Sequence, residues 1–486
     1  MIMSYERAFL KAREQLQQIE RFVKEAVTKG RRIDEVEREL FGRLLAIGQS
    51  LLQGFVAAQG DGDEGVELQL PDGRALRRLK QPHVRRYLSI FGELNIRRRV
   101  YAQREKQRIE RAPLDERLGL PAGEFSYVLE DWLQRLCLKE SFHEAVTDLK
   151  QLLGVSPSER AAEQMNQHMA ERAGDFGLQH AAPPPEQEGE LLVGTADGKG
   201  VPMRRPLEER VQPKHRRGKG EKANRKQMAY VGAVYTIDRF RRTANDVVEE
   251  WSRQLRAADR PKPQHKQVWA EMARGAEARS CTGREWLFVE MAVACYQRDP
   301  QRRKTLICLM DGEVALWEMQ GEWLGRAIGI LDLFHVMERL WKAAYCFHAE
   351  GSSQAEQFVS HRLRMLLEGK VGYVIGGLKR LRDQHELRGE KRRAVNAVIR
   401  YYENNRQHMQ YDEYLAAGYP IGSGVAEGAC RHVVKDRMEQ TGMRWTLNGA
   451  QAMLHLRALY LTGRWDEYVN YRIETEQAAL YTKCAA

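Results

Sequence analysis

Leu191-Leu192-Val193-Gly194-Thr195-Ala196-Asp197-Gly198-Lys199-Gly200 is the stretch on which the reading of this chain turns. Its apolar run, closed by glycines, predicts a buried strand that delivers one carboxylate, Asp197, into a glycine-rich turn. Lys304-Thr305-Leu306-Ile307-Cys308-Leu309-Met310-Asp311-Gly312 repeats the arrangement, and a third acidic residue, Glu427, follows in Gly422-Ser423-Gly424-Val425-Ala426-Glu427. Taken singly, each Asp-Gly pair reads first as a hairpin turn. Taken together they read differently, because Lys199–Met203 and Tyr230–Tyr235 have the composition of antiparallel partners for the first strand. With these strands side by side, both aspartates reach one sheet edge, where carboxylates can share divalent metal.

Working outward, 486 residues suggest roughly two to four domains and a core that needs neither metal nor disulfide to fold. Lys and Arg number 78 against 67 Asp and Glu, a net charge of +11. The excess is clustered, which favours a polyanionic partner, most simply nucleic acid. The N-terminus lacks a signal-peptide core and no apolar run of spanning length is read, so a cytoplasmic, nucleoid-associated protein with no membrane partner is expected. Seven cysteines are spread without a C-x-x-C pair, which argues against a zinc site or a disulfide framework.

Residues 1–60 read as two helices. Ile33, Val36, Leu40, Leu44, Ile47, Leu51 and Phe55 recur at steps of three and four, giving a self-packed hairpin or a dimer seam. Residues 61–180 read as a small antiparallel sheet followed by a helix-turn-helix. Val66–Leu70 alternates, runs at Val84–Phe91 and Leu94–Tyr101 flank Gly92, and Ser141 with Glu144 forms a capping box before Gly154 and a second capped helix. The sheet arginines, Arg77, Arg78, Arg85, Arg86, Arg97, Arg98 and Arg99, face either phosphates or solvent. Any αα-hairpin would share the helix-turn-helix pattern, so DNA binding there rests on the surrounding charge.

The proline run in residues 181–190 is a linker. The expected core then occupies residues 191–342, an all-α insertion 343–415, and the core's C-terminal helices with the third carboxylate 416–486. Lys199, Lys214, Arg216, Arg217 and Lys219 lie on or near a hairpin tip suited to tracking phosphates. Lys435, Arg437, Arg444 and Trp445, behind Glu427, suit a phosphate and a base. Asp332 is placed to cap a helix, and His335 stands one turn on at the same sheet edge.

In these motifs the chain resembles bacterial insertion-sequence transposases with an RNase H-like DDE core, the ISKra group in particular, from about residue 84 onward. The matching pieces are Thr195–Gly200, Met310-Asp311-Gly312, Asp332-Leu333-Phe334-His335 and Gly422–Gly428. The resemblance implies an α+β multidomain protein whose RNase H-like α/β core carries an all-α insertion and follows helical, small β and helix-turn-helix DNA-binding regions. It implies Asp197, Asp311 and Glu427 as catalytic and metal-binding residues for two Mg²⁺ or Mn²⁺ ions, with Asp332 and His335 accessory. The implied partners are double-stranded DNA, as terminal inverted repeats and as target, and a second copy of the chain in a homodimer or higher assembly. Glu439 is the alternative third ligand. Many related transposases carry a cysteine-paired zinc module before the core; residues 66–105 hold no cysteine. The expected activity is metal-dependent DNA cleavage and strand transfer. Another RNase H-like nuclease of junction-resolvase type, or a non-catalytic DNA-binding relative, would share parts of this pattern.

Overall fold

The structure, a computed structural model, describes residues 4–105, 107–178, 182–204, 226–252, 260–273, 282–422, 424–440 and 442–481. The chain forms two compact units, Met1–Met169 with Asp466–Ala486, and Ala170–Trp465.

The first unit begins with helices Ser4–Thr28 and Ile33–Ala58, which pack on each other. Ala12, Ile19 and Ala26, spaced by seven, form the buried seam of the first helix, and Gln15 accepts from Ser50 across the pair at 2.8 Å. The second helix is long and apolar enough, by length and composition, to cross a membrane, where the sequence reading found no such run; 11% of its apolar window is buried. The excess apolarity lies in its C-terminal part, where Gly54 admits the Phe9 ring of the first helix and Gln49 donates to the Glu93 carbonyl.

Strands β1 (Glu67–Gln69), β2 (Ala75–Arg78), β3 (His83–Ser89), β4 (Gly92–Arg98) and β5 (Tyr101–Ala102) make two small sheets, β1-β2-β5 and the hairpin β3-β4. The run read as one strand, Leu94–Tyr101, therefore splits: β4 stops at Arg98, and Tyr101 crosses to pair with Arg78 of β2. Burial decides this, since Val100, Tyr101 and Ala102 are fully buried in succession, which an alternating hairpin strand cannot achieve.

Helices Tyr127–Cys137, Phe142–Leu153 and Glu159–Ala170 enclose Leu129, Leu133, Ala145, Leu149, Ala162 and Met165. The Ser141–Glu144 capping box forms as expected, and Gly154 ends its helix at φ +70°. The last helix, Trp465–Tyr481, was assigned by sequence to the core; from Asp466 on it belongs to this unit. A buried ion pair explains the correction, because Arg472 donates to Glu130 and the Tyr468 hydroxyl donates to the Met169 carbonyl.

The second unit is built on a mixed sheet of β6 (Leu191–Pro202), β7 (Lys226–Ile237), β8 (Gln264–Met272), β9 (Thr305–Met310) and β10 (Ile328–Leu331), in the order β10-β9-β6-β7-β8. β7 runs antiparallel to both β6 and β8, whereas β9 runs parallel to β6 and β10 parallel to β9. Lys199–Pro202 is not a separate partner strand. It continues β6, which stays in register with β7 from Leu191 opposite Ile237 to Pro202 opposite Lys226. Asp197 and Gly198 therefore lie within a strand and make no turn.

Strict alternation buries both faces. Leu191, Val193, Tyr235, Ile307 and Leu309 meet helices Leu333–Phe347, Ser353–Leu367, Val371–Gln384 and Gly389–Asn405, while Leu192, Ala196, Val234, Leu306 and Cys308 meet helix Gly283–Arg298. The helices of residues 343–415 thus share one core with the sheet. Buried polar groups tie the sheet's far end: Arg298 pairs with Glu188 and donates to the Thr236 hydroxyl and the His265 carbonyl.

Candidate active site

The parallel register sets the site. Ala196 pairs with Met310, and Met310 pairs with Leu331. Asp197, Asp311 and Asp332 are each the next residue, so three aspartates stand in a row across β6, β9 and β10, whose spacing is about 4.8 Å. Parallel strands present their C-terminal ends together, which is why carboxylates more than a hundred residues apart become neighbours.

Each aspartate has distinct anchors. Asp332 is almost wholly buried and caps helix Leu333–Phe347 by accepting from the Phe334 amide at 2.8 Å, the role its position predicted. Asp311 accepts from the Glu313 amide at 2.9 Å, and its carbonyl accepts from the Tyr401 hydroxyl at 2.6 Å. Gly312 turns the chain beyond it at φ +91°, and a Cβ there would come within 2.8 Å of Leu331 Cδ1, so only glycine fits. Asp197 continues past the end of β9 with its carboxylate bonded by the Gly198 amide at 2.6 Å. Burial raises its pKa; a hydrogen bond with the Cys430 thiol lowers it and the Asp311 charge raises it further.

Helix Gly424–Cys430 packs across β6 and β7 and carries the fourth acidic group. Burial, then the charge of Asp332, raises the Glu427 pKa; His335 acts against this and Asp197 with it. Glu427 and Cys430, one turn apart, thus both act on the aspartate row. The next turn, Arg431–Lys435, widens to a π-helix, and Arg457 donates to the His432 and Val433 carbonyls there. Glu439, the alternative ligand, is engaged elsewhere: it forms an ion pair with Lys226.

Two participants were missed by sequence reasoning. Glu313 has its pKa raised by burial and then by Asp311, with Asp197 adding to it, and the Tyr230 hydroxyl approaches it at 3.4 Å. The only signal was its place two residues after Asp311. Cys430, buried and bonded to Asp197, had none, because a thiol on a helix gives no pattern.

The expected DNA contacts divide. Arg437 and Trp445 are buried and are corrected to structural roles: the guanidinium lies 5.0 Å from the indole ring, and the indole donates to the Met438 carbonyl. Backbone pairing of Trp445 with Pro202 and Arg204 draws both inward. Lys435 and Arg444 are exposed, and Lys199 is close enough to the site to act on Cys430. Lys214, Arg216, Arg217 and Lys219 lie outside the described residues.

Among the described residues, no three His, Cys, Asp or Glu side chains converge at metal-ligand spacing. The donor chemistry nevertheless suits a hard divalent cation, since Asp197, Glu313 and Glu427 are each destabilised as anions by neighbouring carboxylates. No protein-family model matches the chain, and no curated protein is significantly similar to it.

Proposed function

We propose that the chain is a DNA transposase of an insertion sequence, which binds terminal inverted repeats and performs metal-dependent cleavage and strand transfer as a homodimer or higher assembly. One observation carries the reading: Asp197 and Asp311 are brought side by side by the β6–β9 register, with Glu427 electrostatically joined to Asp197. The sheet order, with the two aspartate-bearing strands adjacent and parallel, supports an RNase H-like core.

In this reading Asp197, Asp311 and Glu427 would hold Mg²⁺ or Mn²⁺, which when bound supplies Lewis acidity to the oxygens of an in-line phosphoryl displacement. The chain's own work is orientation. Tyr401 fixes the loop that carries Asp311, Asp332 caps the neighbouring helix, Cys430 orients Asp197, and Lys199, Lys435 and Arg444 would provide positive charge for the DNA backbone. No serine or tyrosine nucleophile is required. The region of residues 61–180 would bind the DNA ends.

The test is Mg²⁺- or Mn²⁺-dependent cleavage of a duplex bearing the element's own end, by wild type and by Asp197→Asn, Asp311→Asn and Glu427→Gln. Loss of cleavage in all three with DNA binding retained is the expected result. A wild type that binds the end but cleaves with neither metal turns the reading to a DNA-binding protein.

A further inference from the structure

A second charged site lies in the N-terminal unit, apart from the carboxylate row. The β3–β4 register places His83 opposite Arg98, so Arg85, two residues along, projects from the same face as Arg98 on the diagonal. Both guanidinium groups reach one carboxylate, Asp115 of helix Pro113–Arg117. They also reach the same oxygen of it: Arg85 Nη1 lies 2.7 Å from Oδ2, and Arg98 Nη1 is bonded to that atom as well. The other oxygen, Oδ1, and Arg98 Nε are buried with no hydrogen-bond partner among the described residues.

Two cations therefore share one anion in a setting where only 12% and 13% of their side chains are exposed. Arg85 is partly compensated by the Pro121 and Gly123 carbonyls. Arg98 has no such help, and burial followed by the Arg85 charge pushes it down to about 10. The other sheet arginines differ. Arg78 pairs with Asp63, Arg86 with Glu93 and Glu124, and Arg99 with Asp61, whereas the buried pair shares one carboxylate and carries an excess of positive charge.

That excess opens onto space. Arg85, Arg98, Asp115 and Tyr481 line a solvent-connected cavity of about 570 Å³, large enough for a mononucleotide, whose wall glutamates Glu110, Glu116 and Glu124 are paired with Arg74, Arg111 and Arg86. A half-neutralised guanidinium pair on a cavity wall is completed by a multivalent oxyanion, which accepts several N–H donors at once. We infer that this cavity binds a phosphate group through Arg98 and Arg85. The source is either the backbone of DNA held by this unit or a small phosphorylated ligand; both present the same chemistry.

The experiment is calorimetric titration of the full chain with inorganic phosphate at constant ionic strength set with chloride, alongside thermal melts. Saturable binding and a raised Tm are expected for the wild type. Arg98→Gln should weaken binding about tenfold or more, and Asp115→Asn, by removing the competing carboxylate, should tighten it about tenfold. A structural stitch would give no such gain, and Asp115→Asn is near-isosteric, so it also serves if Arg98→Gln fails to fold. No saturable phosphate binding by either wild type or Asp115→Asn overturns the inference. Displacement of phosphate by a short duplex of arbitrary sequence assigns the site to DNA, and displacement by a 5′-mononucleotide with the duplex inert assigns it to a small ligand.

Discussion

The carboxylate row of the second unit and the arginine-rich sheet of the first are both clusters of like charge, and they are handled in opposite ways. In the two small sheets and the chain beside them, Arg78, Arg86 and Arg99 each have a carboxylate partner within the same unit, and Arg85 and Arg98 are the exception that shares one. In the row, Asp197, Glu313 and Glu427 are neighbours of further carboxylates and are held above their ordinary pKa values after burial has already raised them. Repulsion of this kind lowers stability, and on the proposed reading a bound cation relieves it. Paired charge, by contrast, reads as stitching.

The contrast breaks most sharply at the proposed metal ligands. Asp197→Asn or Asp311→Asn should reduce metal-dependent cleavage about 10³-fold or more in a gel assay with labelled ends, without loss of DNA binding. Cleavage within a few-fold of wild type would remove these residues from the chemistry. The largest stability effect should come from a paired charge. Arg298→Ala strands buried Glu188, whose side chain is 1% exposed, and should cost about 3–5 kcal/mol in denaturant unfolding.

Gly312→Ala comes next, at about 1–3 kcal/mol, because the added methyl meets Leu331 at a positive φ. Cleavage should fall with it, as Asp311 shifts.

A smaller effect sharpens the electrostatic side. Asp197, Glu313 and Glu427 bind protons more tightly folded than unfolded, so the stability this confers is present below the ordinary carboxyl range and is lost as pH rises through their raised values. Mg²⁺ or Mn²⁺ should therefore raise Tm by a few degrees, about 2–4 °C, at pH 8 and by little near pH 4. An equal shift at both pH values would show that the cation acts elsewhere. The smallest change is expected for Glu439→Gln, which breaks an ion pair with half-exposed Lys226 and should leave cleavage within about twofold.

Much of this was legible from the residues. The apolar runs ending at Met310 and Leu331 declare buried strands, because a continuous apolar segment of that length has few other stable uses. Asp332 and the Ser141–Glu144 box announce their caps by local hydrogen bonding alone. Other features escaped for reasons of range. The extension of β6 beyond Asp197 depends on β7, which begins only at Lys226, so the local Asp-Gly signal pointed to a turn that does not form. Arg437 and Trp445 looked like surface charge and a base platform, but the pairing of Trp445 with Pro202 and Arg204 turned them inward.

The sequence by itself determined the buried strands that lead to Asp197, Asp311 and Asp332 and the caps at Ser141 and Asp332, since period and capping act within a few residues. Only the tertiary structure decided that Asp197, Asp311 and Asp332 share one level of the sheet, because the register of parallel strands is set by cross-strand hydrogen bonds and by burial of both faces. It alone joined Glu313, Glu427 and Cys430 to that row, and it alone gave Arg85 and Arg98 a single carboxylate to share. Charge falls off over a few ångströms of space, not over residues of chain, and proximity of that kind exists only once the sheets have formed.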